Sequence, residues 1–401
     1  MRTYIIAFNT GSSSLKCSVF SVGKSAKALY RLNVELVSGR CDVTGPAPSA
    51  LRSFPANRFP EDIAELIVNT VLDAGDEVAA CLHRIVHGGV LHDQPVLLTP
   101  ELLAELEHYE PMCPLHQPAA LDLVRHLQAR LPATPQIAAF DTAFHLGQPR
   151  VEREYALPKV VRHDGIRSYG FHGISCQNIV RQLREHTPEL ASGRLIIAHL
   201  GNGASLTAVQ AGRSVATTMG FSTLDGIPMG TRPGHIDPGI ILYLLENGWA
   251  KSRLTDLLYH QSGLLGLSGL SSDMRVLLSS DEDDARFAVN FFCHHIARNI
   301  ASLVCTMQGL DAIVFTAGIG EHQPAIRANI ASRLAWLGVR IDDVANLTGC
   351  QTISKPGTAP VLMVLPTHED EEMVLQSSGL LEHANSHAKS PAARLRGHQR
   401  P

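Results

Sequence analysis

The sequence lacks the signatures of several common protein classes. No Cys-x-x-Cys pair occurs among its eight scattered cysteines, so neither a zinc knuckle nor a thioredoxin-type redox motif is present. Scattered thiols of this kind fit a reducing compartment better than a disulfide framework. No His-Glu-x-x-His motif accompanies the neighbouring pairs His83/His87 and His294/His295, which leaves them without a third ligand for a metal. Neither a Walker A pattern nor a complete Gly-x-Gly-x-x-Gly fingerprint appears, which argues against the P-loop and Rossmann solutions to nucleotide binding. No apolar run reaches the roughly 18 residues of a membrane span. The apolar stretch Tyr4–Phe8 is too short for a signal-peptide core. A cytoplasmic protein with no membrane or nucleic-acid partner is therefore expected. The net charge of −4 supports this, since no basic stripe or acidic block accompanies it.

What is present is ordinary globular material. Of the 401 residues, 45% are hydrophobic and 18% charged, enough for two domains with cores of their own. Short apolar runs alternate with segments of helical period. Strands are expected at Tyr4–Phe8, Leu15–Phe20, Ile137–Phe140, Leu195–Leu200, Ala312–Thr316 and Val361–Leu365. Helices are expected at Pro60–Ala74, Pro118–Ala129, Ile174–Glu185, Asp237–Asn247, Glu282–Met307 and Gln323–Leu337. This alternation indicates an α/β class. Two strand–turn–strand units, one around Asn9–Ser14 and one around Gly201–Ser205, suggest two related halves with a ligand cleft between them. The final segment 384–401 carries Lys389, Arg394, Arg396 and Arg400 with no acidic residue, and reads as a disordered basic tail.

Three polar, glycine-bearing loops offer converging backbone N–H groups of the kind that hold phosphate. They are Asn9–Lys16, His199–Ser205 and Ala317–Glu321, the last directly after a strand. Each could equally be an ordinary turn. Arg84, in an apolar segment closing on Gly88-Gly89, and Arg232, in Met229-Gly230-Thr231-Arg232-Pro233-Gly234, are read as loop arginines. Either recognises a carboxylate or phosphate through its fork or forms a structural ion pair. Asp141 follows a strand, where it serves a site or caps the next helix. His172 lies among aromatics and glycines in Tyr169-Gly170-Phe171-His172-Gly173.

In order along the chain, these segments resemble the acetate and propionate kinase family. The resemblance is carried by Asn9-Thr10-Gly11-Ser12-Ser13-Ser14-Leu15-Lys16, His83–Gly89, Pro114-Leu115-His116, Phe140–His145 and Arg167–Gly173. It continues through His199–Gly203, Met229–Arg232, Ser271–Arg275, Thr316–Glu321 and Pro366-Thr367-His368-Glu369, covering roughly residues 1–382. The resemblance implies a two-domain actin-like, or ribonuclease H-like, ATPase fold with a duplicated core and an interdomain cleft. The expected domains are 1–143 plus 371–383 on the acid side and 144–370 for the nucleotide, followed by the tail 384–401. It also implies reversible phosphoryl transfer between ATP and acetate, giving ADP and acetyl phosphate, in a homodimer. Propionate as acceptor, pyrophosphate as donor, and a catalytically silent nucleotide-binding module are the alternatives.

Residue roles follow from the same resemblance. Asn9 and Glu369 are expected to hold Mg²⁺, or Mn²⁺ in its place, with Ser12, Ser14 and Lys16 near the phosphates. Arg84 and Arg232 would grip the carboxylate and the transferring group, Asp141 would position rather than deprotonate, and His172 would stabilise the equatorial oxygens with His116 and His199 close by. Gly201, Asn202 and Gly203 would meet the ATP phosphates, and Asp273, Arg275, Gly318, Ile319, Gly320 and Glu321 the nucleoside. Val86, Leu115, Phe171 and Thr223 would wall the acid pocket. The chain departs from the family at Cys176 and His322, where His and Asn are usual, and at His235 and Thr223, which replace Asp and Pro.

Overall fold

The computed structural model describes residues 2–11, 14–23, 27–35, 41–46, 60–163 and 165–382. Ser12 and the segment 384–401, both singled out above, lie outside the described residues. The chain divides into two compact units, the first formed by residues up to 143 together with those from 368 onward, the second by 144–367. The return to the first unit thus comes three residues earlier than 370/371. The reason is local: the helix Glu369–Gln376 packs on the first strand of that unit and carries Glu369 to Asn9.

The first unit is built on a seven-stranded sheet of strands β1 (Thr3–Thr10), β2 (Ser14–Ser21), β3 (Tyr30–Glu35), β4 (Cys41–Thr44), β5 (Glu77–Ile85), β6 (Val96–Leu97) and β7 (Gln136–Phe140), in the order β4-β3-β2-β1-β5-β7-β6. Strands β1 to β4 form an antiparallel meander, while β1, β5 and β7 run parallel. The near-continuous apolar run in β1 is that of a strand covered on both faces, and Tyr4 to Phe8 are all buried. Helices Pro60–Asp73 and Gln117–Arg130 present Ile63, Ile67, Leu123 and Leu127 at helical spacing to Phe8, Leu15 and Val19.

The second unit carries five strands, β8 (Arg194–Leu200), β9 (Ala204–Gln210), β10 (Arg213–Thr217), β11 (Ala312–Thr316) and β12 (Val361–Val364), in the order β10-β9-β8-β11-β12. Strands β8 to β10 are an antiparallel meander, and β8, β11 and β12 run parallel. This repeats the β3-β2-β1-β5-β7 pattern strand for strand. Duplication of a meander continued by parallel strands is the actin-like ATPase arrangement. Helix Gly173–His186 closes one face with Ile179 and Leu183 against Leu195, Ile197, Val314 and Met363, and the long helix Asp283–Met307 packs on β8, β9 and β10.

All twelve strands and helices anticipated from periodicity are present, the one at Gln323–Leu337 as a helix, Pro324–Arg333, followed by a 3₁₀ turn. Two local readings are corrected. Arg84 is not in a loop but on β5, because the apolar segment continues in register with β1 and β7 up to Ile85. Ala317–His322 is not a loop but a short helix following β11, its first N–H held by the Glu321 carboxylate. Among the described residues no helix is long and apolar enough to cross a membrane.

Three buried histidines are structural. His83 bonds Gln136 at 2.8 Å, His87 stacks on Tyr109 and accepts from the Gly89 amide, and His145 donates to the Phe171 carbonyl at 2.9 Å. Burial pushes their pKa values down from 6.5 to about 4, about 3 and about 4. Unfolding lets them take up protons below pH 6.5, so their contribution is complete above that pH and fades as pH falls towards 3–4, by about 1.4 kcal/mol per histidine per unit. The melting temperature is expected to fall steeply between pH 6.5 and 5. A flat profile in circular-dichroism melts over that range would contradict the neutral burial of these rings.

Candidate active site

In the first unit three polar residues stand at the carboxyl ends of neighbouring parallel strands, where α/β sheets collect ligands. Asn9 and Arg84 each lie one residue from the end of their strands, β1 and β5, and Asp141 directly follows β7. Strand register brings them together. Phe8 pairs with His83 and Ile85 with Phe140, so Asn9, Arg84 and Asp141 lie side by side. Arg84 donates to Asp141 through Nε at 3.0 Å and through a second guanidinium nitrogen, and to Asn9 Oδ1 at 3.0 Å. Asp141 is wholly buried, and Arg84 nearly so. Burial alone would lower the guanidinium pKa, but the charges of Asp141 and Glu369 carry it above its ordinary value. Arg84 thus forms the structural ion pair, and Asp141 pairs with Arg84 rather than serving only as a cap.

Asn9 Nδ2 donates to Glu369 Oε2 at 2.9 Å across 360 positions of sequence. Lys16 faces Asn9 on the adjacent strand and is exposed, with Ser14 half-buried at the start of β2. Arg31 ties the following residues Asp370 and Glu371 to β3, which fixes the start of the helix that carries Glu369. His116 precedes the helix Gln117–Arg130, half-buried beside Leu115, and Val86 is buried just past β5.

The second unit gathers a different set. His172 and His199 stack with ring centroids 4.1 Å apart and planes within 13°. Each is steered by a hydroxyl through Nδ1, His172 by Ser205 at 2.9 Å and His199 by Ser175 at 2.8 Å. That turns Nε2 of His172 towards Gly203, whose absent Cβ would lie 3.5 Å from it and 2.6 Å from a guanidinium nitrogen of Arg232. His172 itself adopts a left-handed backbone, φ 58°, at the start of helix Gly173–His186. Such strain in a non-glycine residue persists where the surroundings fix it. The buttress is His145, packed so closely under Gly170 (φ 81°) that a Cβ there would lie 2.5 Å from the ring.

Arg232 is buried and donates to the Thr223 carbonyl at 2.7 Å. The turn Gly201–Gly203 docks on its loop through Gly230 N and Asn202 O at 3.0 Å. Phe171 and Thr223 are buried, and Thr223 Oγ1 has no hydrogen-bond partner among the described residues. Glu321 turns its carboxylate inwards to the amides of Ala317 and Thr367, at 2.8 and 3.2 Å, which steadies Ala317 at φ 63° ahead of Gly318, Ile319 and Gly320. Asp273 and Arg275 pair with each other on the surface, Asp273 also capping the helix Met274–Ser279.

Sequence reasoning missed Ser175, Ser205 and His145 as supports of the histidines. No local spacing signals them, since Ser175 bonds His199 and Ser205 bonds His172, 24 and 33 positions away. Of the departures, Cys176 lies in the apolar core with its thiol on Thr207, and His322 and His235 are exposed.

The sequence matches the Acetokinase family over residues 4–376. The chain belongs to this family. Among its acetokinase relatives, the acetate kinase of Nitrobacter hamburgensis is 43% identical over 387 residues, 92% of this chain and 94% of that protein. Among solved structures, the propionate kinase of Francisella tularensis superposes with a TM-score of 0.85 at 35% identity, covering 93% of this chain and 98% of the other. The acetate kinase of Porphyromonas gingivalis gives 0.79 at 30% identity, covering 94% and 100%. Membership makes the chain a kinase.

Gly203 offers a test of the second cluster. A methyl group there meets the mobile end of Arg232 rather than backbone, so Gly203→Ala should fold. It should cost at least about tenfold in turnover by displacing one guanidinium contact, a loss of the size seen for single electrostatic donors. Unchanged turnover at an unchanged melting temperature would remove Gly203 and Arg232 from the site.

Proposed function

We propose that the chain transfers the γ-phosphoryl group of ATP to acetate, reversibly, forming a P–O bond to the carboxylate and breaking the one to ADP. The observation that carries this reading is two arginines held away from most solvent, Arg84 beside Asp141 and Arg232 beside Gly203 and His172. Phosphoryl transfer needs positioning and charge stabilisation more than covalent chemistry. A carboxylate acceptor is already ionised at neutral pH, so no strong base is required. Asp141, held by two nitrogens of Arg84, then serves to orient that guanidinium and its substrate.

Arg84 and Arg232 bind the carboxylate and the moving group, His172 donates to its equatorial oxygens, and His116 and His199 support them. The turn Gly201–Gly203 with Ser12, Ser14 and Lys16 binds the phosphates. Asp273, Arg275 and the helix with Gly318 to Glu321 receive the nucleoside, Glu321 as an internal brace. Asn9 touches the Glu369 carboxylate through Nδ2 while its Oδ1 accepts from Arg84, so the carboxylate is the hard oxygen donor the pair offers to Mg²⁺, with phosphates and water to complete the shell. Bound there, the ion neutralises phosphate charge. Val86, Leu115, Phe171 and Thr223 are the residues assigned to contact with the methyl group.

Hydroxylamine trapping of the acyl phosphate, with ATP and Mg²⁺ against acetate, propionate and butyrate, tests the reading. The largest signal is expected with acetate, and no signal with any acid would refute it. Thr223, standing where the family usually has Pro, leaves propionate as the alternative acceptor through a looser wall. Thr223→Pro should therefore lower the propionate-to-acetate ratio, within the few-fold to 200-fold that about one methylene is worth.

A homodimer is part of the same reading. No residue of helix Pro238–Glu246 is buried, although Ile240, Leu242, Tyr243 and Leu245 are apolar or aromatic, an exposed patch of the kind that marks an interface. Light scattering should give twice the 43.4 kDa chain mass, and Leu242→Glu should return it to the monomer value.

A further inference from the structure

Arg327 is the largest fully buried side chain among the described residues, and none of the hydrogen-bond acceptors around it is a carboxylate. Nε donates to Asn346 Oδ1 at 2.8 Å and one terminal nitrogen to the Asn346 carbonyl at 2.9 Å. The other reaches two consecutive carbonyls, Gly320 at 2.9 Å and Glu321 at 2.8 Å, at the end of the helix Ala317–His322. Asn346 is anchored in turn, its side chain donating to the Pro324 carbonyl and its amide to Asp342. Burying a cation against neutral acceptors is a costly way to fill space, and an apolar side chain of similar volume would do so at less cost. What the fork supplies is geometry: a planar group that fixes two adjacent carbonyls at the carboxyl end of a helix, where a cation is also favoured by the dipole.

The helix it holds needs such fixing. It is six residues long, contains Gly318 and Gly320, and starts from Ala317 in a left-handed conformation. Glycines and a strained first residue make a short helix costly to order. Glu321 grips its first turn and Arg327 its last.

We propose that Arg327, with Asn346, is a positioning residue that preorganises the helix Ala317–His322 for a nucleoside di- or triphosphate, so that nucleotide affinity depends on it and acid affinity does not. This rests on the reading above that this helix receives the nucleotide. Preorganisation raises affinity by removing the cost of ordering the site on binding.

The test measures ADP binding to the full chain by calorimetry with Mg²⁺, a readout that needs no turnover, alongside KM for ATP and for acetate and the melting temperature. Arg327→Met should weaken ADP binding and raise KM for ATP by about tenfold, the effect of one or two lost contacts, while KM for acetate changes by less than about twofold. Arg327→Lys, keeping the charge without the fork, should recover only part of the loss. Asn346→Ala, which leaves the carbonyl contacts of Arg327 in place, should shift the same two quantities in the same direction by less. ADP affinity equal to wild type in Arg327→Met would overturn the proposal. So would a parallel rise in both KM values. If Arg327→Met does not fold, unchanged ADP affinity in Asn346→Ala overturns it instead. A wild-type chain that binds ADP but forms no acyl phosphate would refute the carboxylate-kinase reading and leave this one standing, whereas failure to bind ADP would end both.

Discussion

Parallel pairing at the centre of each sheet is the constraint on which the arrangement of each unit depends. In the first unit it aligns the carboxyl ends of β1, β5 and β7, and in the second those of β8, β11 and β12. Neighbouring parallel strands must end at the same level, so residues far apart in sequence are delivered to one edge without any long-range design beyond register. Asn9, Arg84 and Asp141 are 75 and 57 positions apart and yet hydrogen-bonded. A slip of one residue in β5 would turn Arg84 to the opposite face and leave Asp141 buried with an uncompensated charge, a state that costs roughly 3–5 kcal/mol.

Arginines largely withdrawn from solvent recur, and each is held differently. Arg84 answers a carboxylate, Arg232 a backbone carbonyl, and Arg327 three carbonyls and an amide oxygen. The histidines show the complementary device. His83, His87 and His145 are kept neutral by burial and brace the backbone. His172 and His199 are aimed by serine hydroxyls, so one nitrogen of each ring is committed and the ring plane is set before any ligand arrives. Together they leave the polar groups of each cluster with little freedom to reorganise, which electrostatic stabilisation of a phosphoryl group requires.

Much of the fold could be read in advance because its cues are local. The apolar runs of β1, β8 and β11 and the helical period of Asp283–Met307 need no tertiary context. The glycine- and serine-rich turns signalled both hairpins. Strand β5 was not recognised, since His83 and Arg84 interrupt its apolar run and the pairing of an arginine with a distant carboxylate is invisible in one dimension. Ala317–His322 read as a loop because its two glycines argue against a helix, and the carboxylate and guanidinium that hold it come from side chains whose direction no periodicity reveals.

By itself, then, the sequence determined the α/β class, the repeated strand–turn–strand unit, the ordered motifs of the acetokinase family and the residue types suited to phosphate and carboxylate. Those are properties of composition, spacing and local backbone preference. Only the tertiary structure decided which of these residues touch. Arg84 could have been a loop arginine and is a strand residue paired with Asp141; Glu321 faces inwards; Ser175 and Ser205 aim the histidines; Arg327 clamps a helix. Contact depends on register and side-chain direction across strands, and these are fixed by packing between segments that the sequence keeps far apart.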